Sequence, residues 1–91
     1  MDLEPENVAV LYNLGNSYYL TEQYDSAKDS YMKAIELDPN SAECHFNLGT
    51  IFNILKETDK CILHYEKSIE LDPNNQDAYL CLKKILESDD R

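Results

Sequence analysis

The side chains best suited to chemistry in this sequence are three cysteines, two histidines and a scatter of asparagines and tyrosines. Cys44, Cys61 and Cys81 are separated by 17 and 20 residues with no C-x-x-C pair, so zinc and redox-motif spacing are both absent. An odd, small cysteine count also argues against a disulfide framework, and the three read as free thiols in a reducing compartment. His45 and His64 come with no nucleophile–histidine–acid pattern, Gly-rich phosphate loop or metal motif. Catalysis has no foothold here, and no cofactor is expected. What remains is hydrogen-bonding chemistry. Amide side chains such as Asn13, Asn16, Asn47 and Asn53 offer donors and acceptors that match a peptide backbone without reading its sequence. Tyr12, Tyr19 and Phe46 add aromatic contact area.

Charge narrows the partners. The formal net charge is −10, and the acids are spread along the chain. No window forms a basic patch, so nucleic acid and an anionic membrane surface are both excluded as partners. A neutral or basic protein or peptide is electrostatically easier than an acidic one. No apolar run approaches the roughly 20 residues that cross a bilayer. Residues 1–7 are acidic, with no apolar stretch of the signal-peptide kind. Together with the free thiols, this sets the expectation of an intracellular, cytoplasmic protein.

The elements that must position these side chains are set by an internal repeat. Leu3-Glu4-Pro5, Leu37-Asp38-Pro39 and Leu71-Asp72-Pro73 recur at an interval of 34, as do Leu14 and Leu48, Gly15 and Gly49, Tyr31 and Tyr65, and Ile35 and Ile69. Within each unit the apolar residues fall on helical spacing. Leu11, Leu14, Gly15 and Tyr18 share one face, followed by Tyr24, Ala27, Tyr31, Ala34 and Ile35 on a second helix. His45, Leu48, Gly49 and Phe52, then Cys61, Tyr65, Ser68 and Ile69, repeat the pattern. Pro39 and Pro73 close the units, and Asn40 or Ser41 and Asn74 or Asn75 can cap the next helix in each case. Helices are predicted over 8–20, 24–37, 42–54, 58–71 and 76–88. The expected organisation is a tail over 1–7 (the remnant of a preceding unit's end), repeats over 8–41 and 42–75, a terminal helix over 76–88 and a tail over 89–91.

A 34-residue helix–turn–helix period of this composition resembles the tetratricopeptide repeat family. The first unit carries the family's signature as Leu11, Leu14-Gly15, Tyr18, Ala27, Tyr31, Ala34 and Pro39. The second carries it as His45, Leu48-Gly49, Phe52, Cys61, Tyr65, Ser68 and Pro73. Leu11 and His45 stand where the family often has Trp, and Glu22 and Lys56 where its turn often has Gly. Lys83 falls 34 residues after Gly49, at a close-packing position, so 76–88 is expected to be a capping helix with Lys83 and Lys84 facing water.

The resemblance implies an all-α, right-handed superhelix of two hairpins plus a capping helix. The first helix of each unit would line its concave side. That face comprises Ala9, Tyr12, Asn13, Asn16, Tyr19 and Leu20, then Glu43, Phe46, Asn47, Thr50, Asn53 and Ile54, then Asp77, Leu80, Cys81 and Lys84. The implied function is a non-catalytic scaffold that holds a peptide on Tyr12, Asn13, Asn16, Tyr19, Phe46, Asn47, Thr50, Asn53, Cys81 and Lys84. Asn13 and Asn47, one repeat apart, could begin an asparagine ladder of the kind found in the substrate-binding superhelix of O-GlcNAc transferase. Family members that hold chaperone tails use a clamp of cations and asparagines. Here Asn16 and Asn47 keep the asparagine places, while Tyr12, Asp77 and Cys81 take the cationic ones, so a chaperone C-terminal tail is disfavoured. Alternatives are homodimerisation through exposed repeat ends, with Val8, Val10 and Leu11 on the open face, or the non-catalytic arm of a larger enzyme. Cys44 and Cys81 are expected to be more exposed than Cys61. His45 is expected as a half-buried packing residue, and His64 toward solvent or a neighbouring helix.

Overall fold

The computed structural model describes residues 7–88, so the expected remnant at Leu3–Pro5 and the tail 89–91 lie outside the described residues. Five helices succeed one another: α1 (Val8–Leu20), α2 (Tyr24–Leu37), α3 (Ala42–Ile54), α4 (Thr58–Leu71) and α5 (Gln76–Ser88). They span the residues the periodicity predicts, and no strand occurs among the described residues. None of these helices is long and apolar enough to cross a membrane.

Side-chain caps start α1, α3 and α5, and backbone turns lead into α2 and α4. The Asn7 side chain caps α1 by accepting from the backbone N–H of Ala9 at 2.8 Å and Val10 at 3.3 Å. Ser41 does the same for α3, at 3.2 Å from the Cys44 N–H, and Asn75 for α5, at 3.2 Å from the Ala78 N–H. Their neighbours Asn40 and Asn74 donate backbone N–H groups to Asp38 and Asp72, which fixes the turn around each proline. Both hairpin turns are Schellman motifs. The N–H of Gln23 reaches the Tyr18 carbonyl at 2.8 Å and that of Glu22 reaches Tyr19 at 3.0 Å; Glu57 with Phe52 and Lys56 with Asn53 repeat the pair. Such a motif places its linking residue in the left-handed region, and Glu22 (φ 62°) and Lys56 (φ 66°) sit there without being glycine.

Packing runs in chain order. The main contacts join α1 with α2, α2 with α3, α3 with α4, and α4 with α5. Each hairpin closes on a glycine. A Cβ on Gly15 would lie 2.6–2.9 Å from ring atoms of Tyr31, and one on Gly49 would lie 2.8–3.2 Å from Tyr65. These close approaches let Tyr31 and Tyr65 bury almost completely. The core is a central cluster of Ala27, Tyr31, Leu48, Ile51, Phe52, Cys61, Tyr65 and Leu82, with a smaller cluster of Leu11, Ala34 and Cys44.

Several residues depart from expectation, each for a packing reason. Leu14 shares the packing spacing of Leu48 but is 40% exposed, because no helix among the described residues lies on the outer side of α1. Leu11, expected on the open face, is buried against Ala34 and Cys44. Cys44, expected nearer the surface, is fully buried between repeats. His45 is buried more deeply than the half expected. His64 takes the second of its two expected placements, its ring against Phe52 and His45 of the neighbouring helix α3.

Candidate functional site

The first helices of the units wall two adjoining hollows on one side of the molecule. Asn16, Tyr19 and Leu20 of α1, Tyr31 of α2, and Phe46, Asn47 and Thr50 of α3 line the larger, of about 500 Å³. Phe46, together with Asp77, Leu80, Cys81, Lys83, Lys84 and Glu87 of α5, lines the second, of about 460 Å³. Phe46 therefore stands as the partition between them, braced by the Tyr65 ring at 5.6 Å.

The larger hollow contains no ionised side chain. α1 carries no charged residue, and α3 carries only Glu43. Its polar groups form a network built at the repeat junction. The Tyr31 hydroxyl donates to Asn16 Oδ1. Asn47 Nδ2 donates to the Tyr12 hydroxyl at 3.2 Å and to Asn16 Oδ1 at 3.4 Å. Asn16 Oδ1 is thus held by two donors, which orients its own NH2 group as the donor it can offer a ligand. In the second repeat the Tyr65 hydroxyl lies 2.9 Å from Thr50 Oγ1, the same helix-to-helix contact one unit later.

Burial keeps the Tyr31 and Tyr65 phenols and the Cys44 and Cys61 thiols neutral. It pushes the Tyr31 hydroxyl far above its ordinary value, with the nearby Tyr12 adding to the shift. It lifts Tyr65 to about 12, although the Thr50 hydrogen bond pulls the other way. Burial also raises Cys44, and takes Cys61 up to about 11. A thiol held up in this way is a poor nucleophile and a poor metal ligand. Among the described residues no three His, Cys, Asp or Glu gather as a metal site.

Of the ten residues singled out in the sequence, Asn16, Tyr19, Phe46, Asn47 and Thr50 come together in the larger hollow, and Cys81 and Lys84 in the second. Tyr12 stands behind the first hollow, its ring 6.0 Å from Tyr31 and its hydroxyl on Asn47. Asn13 and Asn53 are exposed and line neither. Asn13 and Asn47 differ accordingly: the Asn47 amide clasps the preceding repeat, while Asn13 is exposed and makes no such clasp among the described residues. Tyr31 is the lining residue that the sequence assigned wholly to the core. Its ring is core, but its hydroxyl reaches the hollow, and the signal is that its spacing from Asn16 recurs as Tyr65 from Thr50.

No curated protein matches the chain in sequence. Among 141 matching chains of solved structures, a crystal structure of MamA is similar over 94% of this chain and 50% of its own, at 28% identity and a TM-score of 0.92. This chain therefore spans half of that protein's length. The Arabidopsis OM64 TPR domain is similar over 89% of this chain and 67% of its own, at 27% identity and a TM-score of 0.85. The first TPR of Spaghetti (RPAP3), bound to the HSP90 peptide SRMEEVD, is similar over 97% of this chain and 72% of its own, at 25% identity and a TM-score of 0.89. The family model for the tetratricopeptide repeat matches twice, over residues 8–41 and 42–75. With that match, the paired helices and the glycine-seated tyrosines, the chain belongs to the tetratricopeptide repeat family.

Proposed function

We propose that this chain is a non-catalytic module that holds an extended peptide segment of a partner protein across the two hollows. The observation that carries the reading is the uncharged hollow of Asn16, Tyr19, Phe46, Asn47 and Thr50. It offers amide and hydroxyl groups for a peptide backbone beside an apolar wall for one side chain. Phe46 would pass the segment on to the Leu80, Cys81 and Lys84 side. The RPAP3 relative is bound to the HSP90 peptide SRMEEVD, which carries three acidic residues. This chain is built for something else. At the clamp's cationic places Tyr12 is tied to Asn47, Asp77 is an acid and Cys81 supplies no cation. With a net charge of −10 on the whole chain, a neutral or basic segment is the ligand of choice.

The test is a peptide array read with the wild type, followed by affinities for the best binders. Tyr19→Ala removes an exposed wall residue and should weaken binding about tenfold, while Lys33→Ala on α2 should leave it unchanged. Binders that do not distinguish the two variants would place the ligand on another face.

A second reading rests on one observation. Val10 is 53% and Leu14 40% exposed, at the repeat positions where Cys44 and Leu48 are fully buried. A second copy covering that face would form a homodimer. Leu14→Glu should abolish any concentration-dependent mass in sedimentation, and a monomer at all concentrations would end this reading.

A further inference from the structure

His45 and His64 stand where the first repeat has Leu11 and Ser30, so their pairing belongs to the second hairpin alone. The pairing is unusually specific. Pro39, in the turn entering α3, presents a carbonyl 3.0 Å from His45 Nε2. A carbonyl only accepts, so that nitrogen carries a hydrogen, and in the neutral ring His45 Nδ1 is bare. It faces His64 Nδ1 at 3.0 Å, which must then be the donor. The ring centroids are 5.3 Å apart, close to that N···N distance plus one ring radius on each side, and the planes differ by 22°. The rings therefore meet edge to edge, with the two Nδ1 atoms in line. In-line lone pairs do not converge on a metal ion. They share one hydrogen, and a first extra proton keeps that bond and charges it. A second puts hydrogens on both facing nitrogens and two positive charges at one buried spot.

The surroundings cannot absorb that second charge. The far side of His64 lies against the Phe52 ring, at 5.4 Å between centroids. Lys60 of α4 stands over the same Phe52 ring and is paired with Glu57. Asp38, in the turn between repeats, acts on Cys44. On the α5 side, α4 presents Cys61 and Tyr65, whose neighbour is the Cys81 thiol. Burial first, and the His45 charge second, hold the His64 imidazole down to about 4, and among the described residues no carboxylate counts among the causes of that shift.

We propose that the His45–His64 pair is an acid-sensitive latch on the second hairpin: one proton shared between the two Nδ1 atoms holds α3 to α4, and a second forces the helices apart. His64 takes its proton near pH 6.5 in the unfolded chain and near 4 in the fold. Between those values the unfolded state binds more protons. Stability is therefore full above about pH 6.5 and declines as the pH falls toward 4. Because Pro39 leads out of the first repeat, opening the latch also loosens the junction behind the Asn47 clasp.

The first repeat supplies the control. His45→Leu/His64→Ser replaces the pair with the residues found at Leu11 and Ser30 and leaves every carboxylate in place. Urea unfolding at pH 7.5 and 4.5 is compared for the two chains. The wild type should lose about 10- to 100-fold more in its folding equilibrium constant than the double variant. Equal losses would overturn the proposal. Since the variant could fold poorly, a proton NMR titration of the wild-type imidazole C–H signals gives an independent check. One ring should titrate below about pH 5, and midpoints near 6.5 for both rings would overturn the latch as well.

Discussion

The two hairpins cover the same helix lengths, the same turn motif and the same glycine–tyrosine contact, yet they are buried very differently. α1 buries only Leu11 and Gly15, whereas α3 buries Cys44, His45, Leu48, Gly49, Ile51 and Phe52. The cause is position. α3 is enclosed by α2 on one side and α4 on the other, while among the described residues α1 packs mainly onto α2, with α3 meeting it through Leu11 and the Asn47 clasp. Identical repeat positions thus carry different energies, and a repeat's sequence fixes its shape more firmly than its contribution to stability.

Leu48 against Leu14 tests this most severely. Leu48→Ala should cost about 2–5 kcal/mol, since the side chain is fully buried and its neighbours can collapse only in part. Leu14→Ala at the matching position should cost under about 1 kcal/mol. Urea midpoints measure both, and equal losses would break the comparison. Glycine comes next. Gly49→Ala pushes a methyl into the Tyr65 ring, and should destabilise by about 1–3 kcal/mol after the helix-propensity gain. Gly15→Ala makes an equally close approach to Tyr31, but among the described residues α1 is much less enclosed than α3 and can shift more easily, so its cost should be visibly smaller. A third pair sharpens the junction. Asn47→Ala should lose about 1–2 kcal/mol by leaving Asn16 and Tyr12 without their shared donor, and Asn13→Ala should fall within about 0.5 kcal/mol of the wild type. The smallest effect has the opposite sign. Lys56→Gly and Glu22→Gly relieve left-handed backbone, and each should raise the melting temperature by an amount worth about 0.5–1 kcal/mol.

Most of the fold was legible because its signals are periodic. Leucine–glycine pairs, tyrosines and prolines recurring every 34 residues locate helices, turns and the hairpin contact together. The Glu22 and Lys56 positions were also legible, as places where the chain must turn and glycine is missing. What stayed hidden depends on how helices rotate against each other. The facing of His45 and His64 needs the α3–α4 crossing, which spacing alone does not supply. The clasp at Asn47 needs the offset between repeats, and it changes that residue from a ladder rung into a fastener. Leu14 and Cys44 show the same limit in burial. Helical spacing says which residues share a face, and only the neighbouring helix decides whether that face is covered.

The chain-order packing of the helices carries a kinetic consequence. Since each helix rests mainly on its sequence neighbours, folding closes only short loops, and the contact order is low, which favours fast folding. By the same logic single helices open through local equilibria well below the global one. α5 forms one wall of the second hollow and α1 one wall of the first, so each hollow is shared between successive units. A segment lying across both would therefore act as a strap. Amide hydrogen exchange should slow most in α1 and α5 when it binds, and least in α3, which is already protected at the centre.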